Sequence, residues 1–217
     1  MNSPVSFTAG IFDLDGTLID SRDVWNRIDE EFVARRGFAV PPDYLAAVRS
    51  MRFSEAADYT IERFSLSDSP GALMNEWYEM AVDQYSYHVP LKPHVREYLC
   101  FLKSAGVRLA TATSLPETLY SAVLKGNGVF DLFDAHTSAD EAPRGKEHPD
   151  TYLLAARKLG AAPEECMVFE DVLVCIKSAR AAGMKVCAVY DRAASHEWDD
   201  MTRAADISIR DFSELLC

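Results

Sequence analysis

An α/β fold, a parallel sheet interrupted by an all-helical insert, is what this sequence predicts. Two observations carry the prediction. From about residue 90 onward, short apolar runs alternate with helix-period stretches, the pattern of βαβ units. Between the first apolar run and that region, residues 21 to about 88 show helical periodicity and almost no strand signal.

The elements follow in chain order. "AGIF" (9–12), inside "TAGIFDLDGTLIDS", reads as a buried strand. After it, Val24, Ile28 and Phe32 recur at helical spacing, with Ser21 as the expected cap. Ala56, Tyr59, Ile61 and Phe64 mark a second helix after Ser54, and Leu73, Trp77, Met80 and Tyr85 a third. "VPLKP" (89–93) reads as a stiff return linker, because two prolines limit its φ angles. Strands are then expected at "VRLATAT" (107–113), more weakly at "DAHTS" (134–138), and at "CMVFED" (166–171), "KVCAVY" (185–190) and "DISI" (206–209). Helices are expected at "PETLYSAVLKGNG" (116–128), "PDTYLLAARKLG" (149–160) and "IKSARAAG" (176–183). There are no internal repeats and no low-complexity tracts.

The chain has 217 residues and 48% hydrophobic content, enough for one domain with a smaller insertion. Its net charge of −12 argues against nucleic acid or an anionic membrane as partner. The absence of a long apolar run predicts no membrane span, and the start "MNSPVSFTAG" predicts no signal peptide. Five cysteines without a CxxC pair fit a reduced, cytoplasmic setting and no zinc site. The histidines lack metal-ligand spacing, and His88, His94, His136 and His196 read as structural or surface residues.

In an open parallel sheet, ligands lie beyond the carboxyl ends of the strands. Here those ends carry Asp13 and Asp15, then Thr113 and Ser114, then Lys146 in the loop after the third, then Glu170 and Asp171. Burying unpaired carboxylates costs several kcal/mol, so such a convergence calls for countercharge. Each residue also has a plain structural reading. Ser114 opens "SLPE", a capping box with Glu117, and its side chain is expected to cap. Asp171 reads alternatively as the cap of a helix starting near Val172, and Thr17 as a turn residue.

"DLDGT" (13–17), Thr113, Lys146 and "ED" (170–171), in that order, resemble the four motifs of the haloacid dehalogenase-like hydrolases. The helical insert resembles the cap of the subgroup with phosphoglycolate phosphatases and β-phosphoglucomutases. The resemblance covers essentially the whole chain. It implies a Rossmann-like core from residues 1–20 and 89–217, a helical cap at 21–88, and a Mg²⁺-dependent phosphatase of small phosphorylated metabolites. The alternative it leaves open is a sugar phosphomutase sharing the same aspartyl-phosphate. A non-catalytic binder is disfavoured by the intact set of motif residues. Haloacid dehalogenation is disfavoured too, since that branch lacks the second aspartate and the metal. A monomer or weak homodimer is expected.

The chemistry matches the residue types. An aspartate is ionised at neutral pH, so Asp13 needs no base to act as a nucleophile. Its obstacle is repulsion from the phosphate dianion: two unit charges ~4 Å apart interact by roughly 4 kcal/mol at a dielectric of about 20. Lys146 and a Mg²⁺ ion reverse that sign. Mg²⁺ prefers hard oxygen ligands, and Asp13 and Asp171 are the first choices, with Glu170 as a further candidate. The resemblance adds the backbone carbonyl of Asp15. Two residues after Asp13 in extended chain, Asp15 faces the same side, where crowding by carboxylates favours its protonated form. As in the family, it would protonate the leaving oxygen and then deprotonate water. Gly16 lets the backbone turn closely past phosphate.

The chain departs from the family pattern at Val172 and Cys175, where serine and glycine are common, and at "KEHPD", where Glu147 and His148 flank the lysine. His148 reads as part of an exposed loop. Specificity is assigned to the insert. Arg49 and Arg52 in "VRSMRFSE" are candidates to reach an acidic group of the substrate, the alternative being plain exposed arginines at a helix end, and Trp25 is expected in the insert's core.

Overall fold

The computed structural model describes residues 6–41, 43–48 and 53–216. Arg49 and Arg52 therefore lie outside the described residues. The chain divides into two compact units, one made of Met1–Arg22 with Val89–Cys217 and the other of Asp23–His88.

The larger unit is built on five parallel strands: β1 (Ala9–Phe12), β2 (Arg108–Thr111), β3 (Cys166–Glu170), β4 (Lys185–Val189) and β5 (Ile207–Ile209). Their spatial order is β2-β1-β3-β4-β5, so β1 has a neighbour on either side. The stretch 134–138 is not one of these strands. Ala135 and Ser138 only make single bridges, to Ala110 and Thr113. The chain there meets the edge of β2 at two points and does not run along it.

Alternation along the strands sorts their side chains to two faces. One face carries Ala9 and Ile11 of β1 with Cys166 and Val168 of β3. They pack against Tyr152, Ala155 and Leu159 of α7 (Asp150–Leu159) and Ile176 and Ala179 of α8 (Leu173–Ala181). The other face carries Phe12 and Phe169, which stack with centroids 4.3 Å apart. Phe169 meets Tyr98 edge-on at 5.7 Å, and Tyr98 lies 5.5 Å from Phe212. Tyr98 belongs to α5 (Val95–Ser104), whose buried Val95, Tyr98, Leu99 and Leu102 keep helical spacing. A further short helix spans Trp198–Ala204 and buries Met201. Among the described residues, no helix is long and apolar enough to cross a membrane.

The smaller unit holds α1 (Val24–Arg35), α2 (Tyr44–Val48), α3 (Phe53–Phe64) and α4 (Pro70–Tyr87). Val24, Ile28 and Phe32 are buried at the predicted spacing. One cap expectation fails: the N-cap of α1 is Asp23, not Ser21. The second helix, expected after Ser54, already includes that residue. Ser69 does cap α4, accepting from the Ala72 amide at 3.2 Å with Pro70 as the first helical residue. Trp25 is also corrected: it is 42% exposed, because it falls one residue off the buried stripe of Val24 and Ile28. Trp77 does sit in this unit's core, edge-on to Phe32 at 5.4 Å. Arg36 lies 3.7 Å over the Phe32 ring and pairs with Glu76 at 2.6 Å and Asp68 at 3.2 Å.

The two chain segments that lead to and from the smaller unit pair with each other inside the larger one. The Asp20 amide donates to the Pro90 carbonyl at 3.0 Å, and the Lys92 amide to the Leu18 carbonyl at 2.8 Å. Ile19 and Leu91 form the antiparallel bridge between them. The expected stiff linker is thus one side of a short two-stranded ribbon.

Candidate active site

Register alone brings the first carboxylates together. Ile11 pairs with Val168, so two residues on, Asp13 stands beside Glu170 on the face that holds α7 and α8. Asp13 is 5% exposed and Glu170 fully buried. Lys146, itself 6% exposed, donates from Nζ to Asp13 Oδ1 and to Glu170 Oε2 (2.9 Å). Tyr152 of α7 donates its hydroxyl to the same Glu170 oxygen at 3.2 Å. Asp171 follows β3 and is 6% exposed. The helix behind it starts at Leu173 with Val172 at the cap position, so Asp171 is not that helix's cap. Its Oδ1 accepts instead from the buried Thr17 hydroxyl at 3.1 Å. Thr17 is in a turn as expected, and it also holds an acid 154 positions away.

The turn after β1 depends on Gly16. Its φ is +78°, and a Cβ there would stand 2.1 Å from Asp171 Oδ2. Only glycine combines that conformation with that approach. Asp15, half-buried, bridges to Ile19 in the same turn.

Thr113 lies two residues past the end of β2, fully buried. Its Oγ1 accepts from the Leu115 amide at 3.1 Å, which shapes the loop into α6 (Glu117–Gly126). Ser114 is exposed, and its predicted cap does not form: the N-cap of α6 is Pro116, with no side-chain cap bond. Proline at 116 moves the helix start too far from Ser114 for its hydroxyl to serve. Glu147 is exposed and His148 half-exposed beside Lys146.

The charges in this cluster do not balance. Among the described residues, Asp13, Glu170 and Asp171 each offer a carboxylate oxygen within 4.8 Å of the others. One lysine faces three acids. Burial alone would lower the Lys146 pKa, but Asp13 and Glu170 outweigh it and hold it above its ordinary value. Burial first, then the charge of Asp13, pushes Glu170 up to about 7 against the pull of Lys146. Asp171 is raised well above the usual carboxylate range by burial, then by Asp13 and Glu170. Glu170 Oε1 is buried with no hydrogen-bond partner. A hard divalent cation fits this donor set: three crowded carboxylates, one with an orphaned oxygen, lacking positive charge. Val172 is 38% exposed, and Cys175 is buried, its thiol pushed up to about 12 by burial and then by Glu170, so it stays protonated.

The sequence reading missed Tyr152 because a tyrosine at helical spacing reads as core, and it missed the partner of Thr17 because that contact spans most of the chain.

A family profile described as haloacid dehalogenase-like hydrolase matches residues 10–189. Hexitol phosphatase B of Escherichia coli K12 is 30% identical, over 99% of this chain and 97% of its own. Fructose-1-phosphate phosphatase YqaB of the same organism is 31% identical, over 80% of this chain and 92% of its own. A Thermotoga maritima crystal structure, provisionally named a β-phosphoglucomutase, superposes with a TM-score of 0.83 at 26% identity, covering 96% of both chains. The α/β fold, the motif order and the family match agree, and the chain belongs to the haloacid dehalogenase-like hydrolases.

Proposed function

We propose that this protein is a Mg²⁺-dependent phosphatase of small phosphorylated metabolites, of the sugar-phosphate type, working through an aspartyl-phosphate on Asp13. The observation that carries this reading is the buried set of Asp13, Lys146, Glu170 and Asp171 at the carboxyl edge of the sheet. The phosphatase names of the E. coli relatives support it.

Asp13, Asp171 and Glu170, with the Asp15 carbonyl, would hold the cation, which supplies positive charge for the phosphate oxygens. A carboxylate oxygen of Asp13 attacks phosphorus, and the ester P–O bond breaks. The leaving oxygen takes the proton of the Asp15 carboxyl group. Asp15, now a carboxylate, removes a proton from water as the water oxygen attacks the same phosphorus. The bond from phosphorus to Asp13 then breaks, releasing inorganic phosphate and restoring both acids. Lys146 keeps Asp13 oriented and offsets charge on the phosphate. Thr113, Ser114 and the amide end of α6 bind its remaining oxygens. Substrate selection is assigned to the unit Asp23–His88, with Arg49 and Arg52 as its candidates, on residue type alone, for recognising an acidic substituent. The unpaired thiols of Cys100, Cys166, Cys175 and Cys187 fit a cytoplasmic enzyme.

The second reading, a sugar phosphomutase, draws on the name of the Thermotoga structure. The mutases this chain resembles carry a histidine four residues after a hydroxyl residue early in the first cap helix. Counted from Ser21, that place is Trp25, whose indole is no acid or base. The test is a phosphate-release screen with Mg²⁺ over hexose phosphates, hexitol phosphates, phosphoglycolate and nucleotides, with Asp13→Asn as control. β-Glucose 1-phosphate with a trace of its 1,6-bisphosphate is run alongside. Free phosphate is expected to dominate. Conversion to glucose 6-phosphate much faster than phosphate release would make the protein a mutase, and no release from any monoester would remove the phosphatase reading.

A further inference from the structure

Lys92 has no place in the chemistry above, yet three acceptors from two separate segments converge on it. Its ammonium donates to Asp191 Oδ2 at 2.7 Å, to the Tyr190 carbonyl at 3.0 Å and to the Gly16 carbonyl. Three acceptors saturate the three donors of an ammonium. Both side chains are shielded, Lys92 at 13% and Asp191 at 2% exposure. Asp191 Oδ1 is itself fixed by the Ala193 amide at 2.8 Å. Gly16 follows β1 and Asp191 follows β4, and the two strands flank β3. The ammonium therefore ties loops together across the end of the strand that carries Glu170 and Asp171.

We infer that Lys92 and Asp191 are a positioning pair for the metal-binding loop: they fix the Gly16 carbonyl and so the backbone that presents Asp15 and abuts Asp171. The Gly16–Thr17 peptide is gripped from two sides. Lys92 holds its oxygen, while the Gly16 Cα packs against Asp171 Oδ2 and the Thr17 hydroxyl bonds Asp171 Oδ1. Without the ammonium, the Gly16 carbonyl loses its lysine donor and the turn is held only by the Thr17 amide on the Leu14 carbonyl (3.1 Å) and the Gly16 amide on the Ile19 carbonyl (3.1 Å), so the backbone beside Asp171 and the Asp15 carbonyl is less firmly set. Outer contacts that orient ligands typically change metal affinity or activity by about 10- to 100-fold. The functional consequence rests on the phosphatase reading, whereas the effect on metal binding does not.

Lys92→Met alone leaves Asp191 buried and unpaired, which destabilises the fold and also strengthens the local negative field. The decisive variant is Lys92→Met combined with Asp191→Asn. It removes one positive and one negative charge, so the net charge at the site is unchanged, and the amide still accepts from the Ala193 amide. Melting temperature, Mn²⁺ binding followed by loss of the free-ion electron paramagnetic resonance signal, and kcat and KM for a monoester cleaved by the wild type are measured. The double variant is expected to melt near the wild type, to bind Mn²⁺ about 10-fold or more weakly, and to lose kcat with KM changed less than about twofold. Wild-type Mn²⁺ affinity in the folded double variant would overturn the inference, as would absence of Mn²⁺ binding by the wild-type protein. A wild type that binds Mn²⁺ but cleaves no monoester would end the phosphatase reading and leave the Mn²⁺ comparison to decide the role of Lys92.

Discussion

Lys146→Met replaces the buried ammonium with an apolar chain of similar length. The wild-type lysine faces Asp13 and Glu170 Oε2, the latter at 2.9 Å, at a site only 6% exposed. Removing one partner of such a pair costs ~3–5 kcal/mol, because the remaining charges stay buried without compensation. For a chain of this size each kcal/mol moves the melting temperature by about 2–4 °C, so a loss of ~10 °C is expected at pH 8 without metal. The loss should depend on pH. Glu170 titrates at about 7 in the fold, above its ordinary 4.5, so between those values the fold binds more protons than the unfolded chain. Stability drawn from that extra proton falls as pH rises from 4.5 to 7. Without Lys146 the Glu170 pKa climbs further, and the deficit grows toward alkaline pH. Thermal melts at pH 5 and pH 8, each with EDTA or saturating Mg²⁺, test this. A deficit at pH 5 less than half that at pH 8, narrowed by Mg²⁺ at pH 8, is expected. A deficit indifferent to both would show that Lys146 matters as packing and that the acids are not an electrostatic unit.

Asp13→Asn should cut turnover by ~10⁴-fold or more while melting no lower than the wild type, since it removes one of the crowded charges; phosphate release and calorimetry report both. Gly16→Ala forces a Cβ into a left-handed position 2.1 Å from Asp171 Oδ2, so a destabilisation of ~1–3 kcal/mol and loss of Mg²⁺-dependent turnover are expected from denaturant melts and kinetics. Asp29 in α1 is pushed up to about 7 by burial and then by Glu30, so its fold-held proton stabilises least above pH 7. Asp29→Asn should therefore raise stability by ~1 kcal/mol at pH 8 and leave it unchanged at pH 3.5, read by calorimetry; an equal effect at both would place the carboxylate in water.

The parts of the fold legible in the sequence were those where an apolar run ends on a charge or a turn. β1, β3 and β4 are such runs, and their ends are where Asp13, Glu170 and Asp191 stand. The helix Val95–Ser104 escaped notice although its apolar spacing is regular. It opens on His94 at φ +60°, without a side-chain cap, so the usual start signal is missing. "DAHTS" looked like a strand because its composition suits one, but composition does not show how many ladder bonds a neighbour will offer. Capping forecasts failed at Ser21 and Ser114, where a nearby residue, Asp23 or Pro116, begins the helix instead. The four motif acids and Lys146 were legible because their spacing along the chain fits strand ends in order. Thr17 to Asp171, Tyr152 to Glu170 and Lys92 to Asp191 were not, since each joins residues whose types are ordinary and whose separation is long.

The ribbon of Leu18–Asp20 against Pro90–Lys92 has a consequence for how this architecture diversifies. Its paired strands hold the two ends of the helical insert about 5 Å apart, the spacing of antiparallel neighbours. Closing a loop from ends already adjacent costs only ~0.6 kcal/mol for each doubling of its length. The sheet is therefore nearly indifferent to what hangs from that point, whether a two-residue turn or dozens of residues. Lineages can exchange, enlarge or delete the insert while the strand ends keep their chemistry, and a designer can graft a foreign helical module between Arg22 and Val89 with the same expectation.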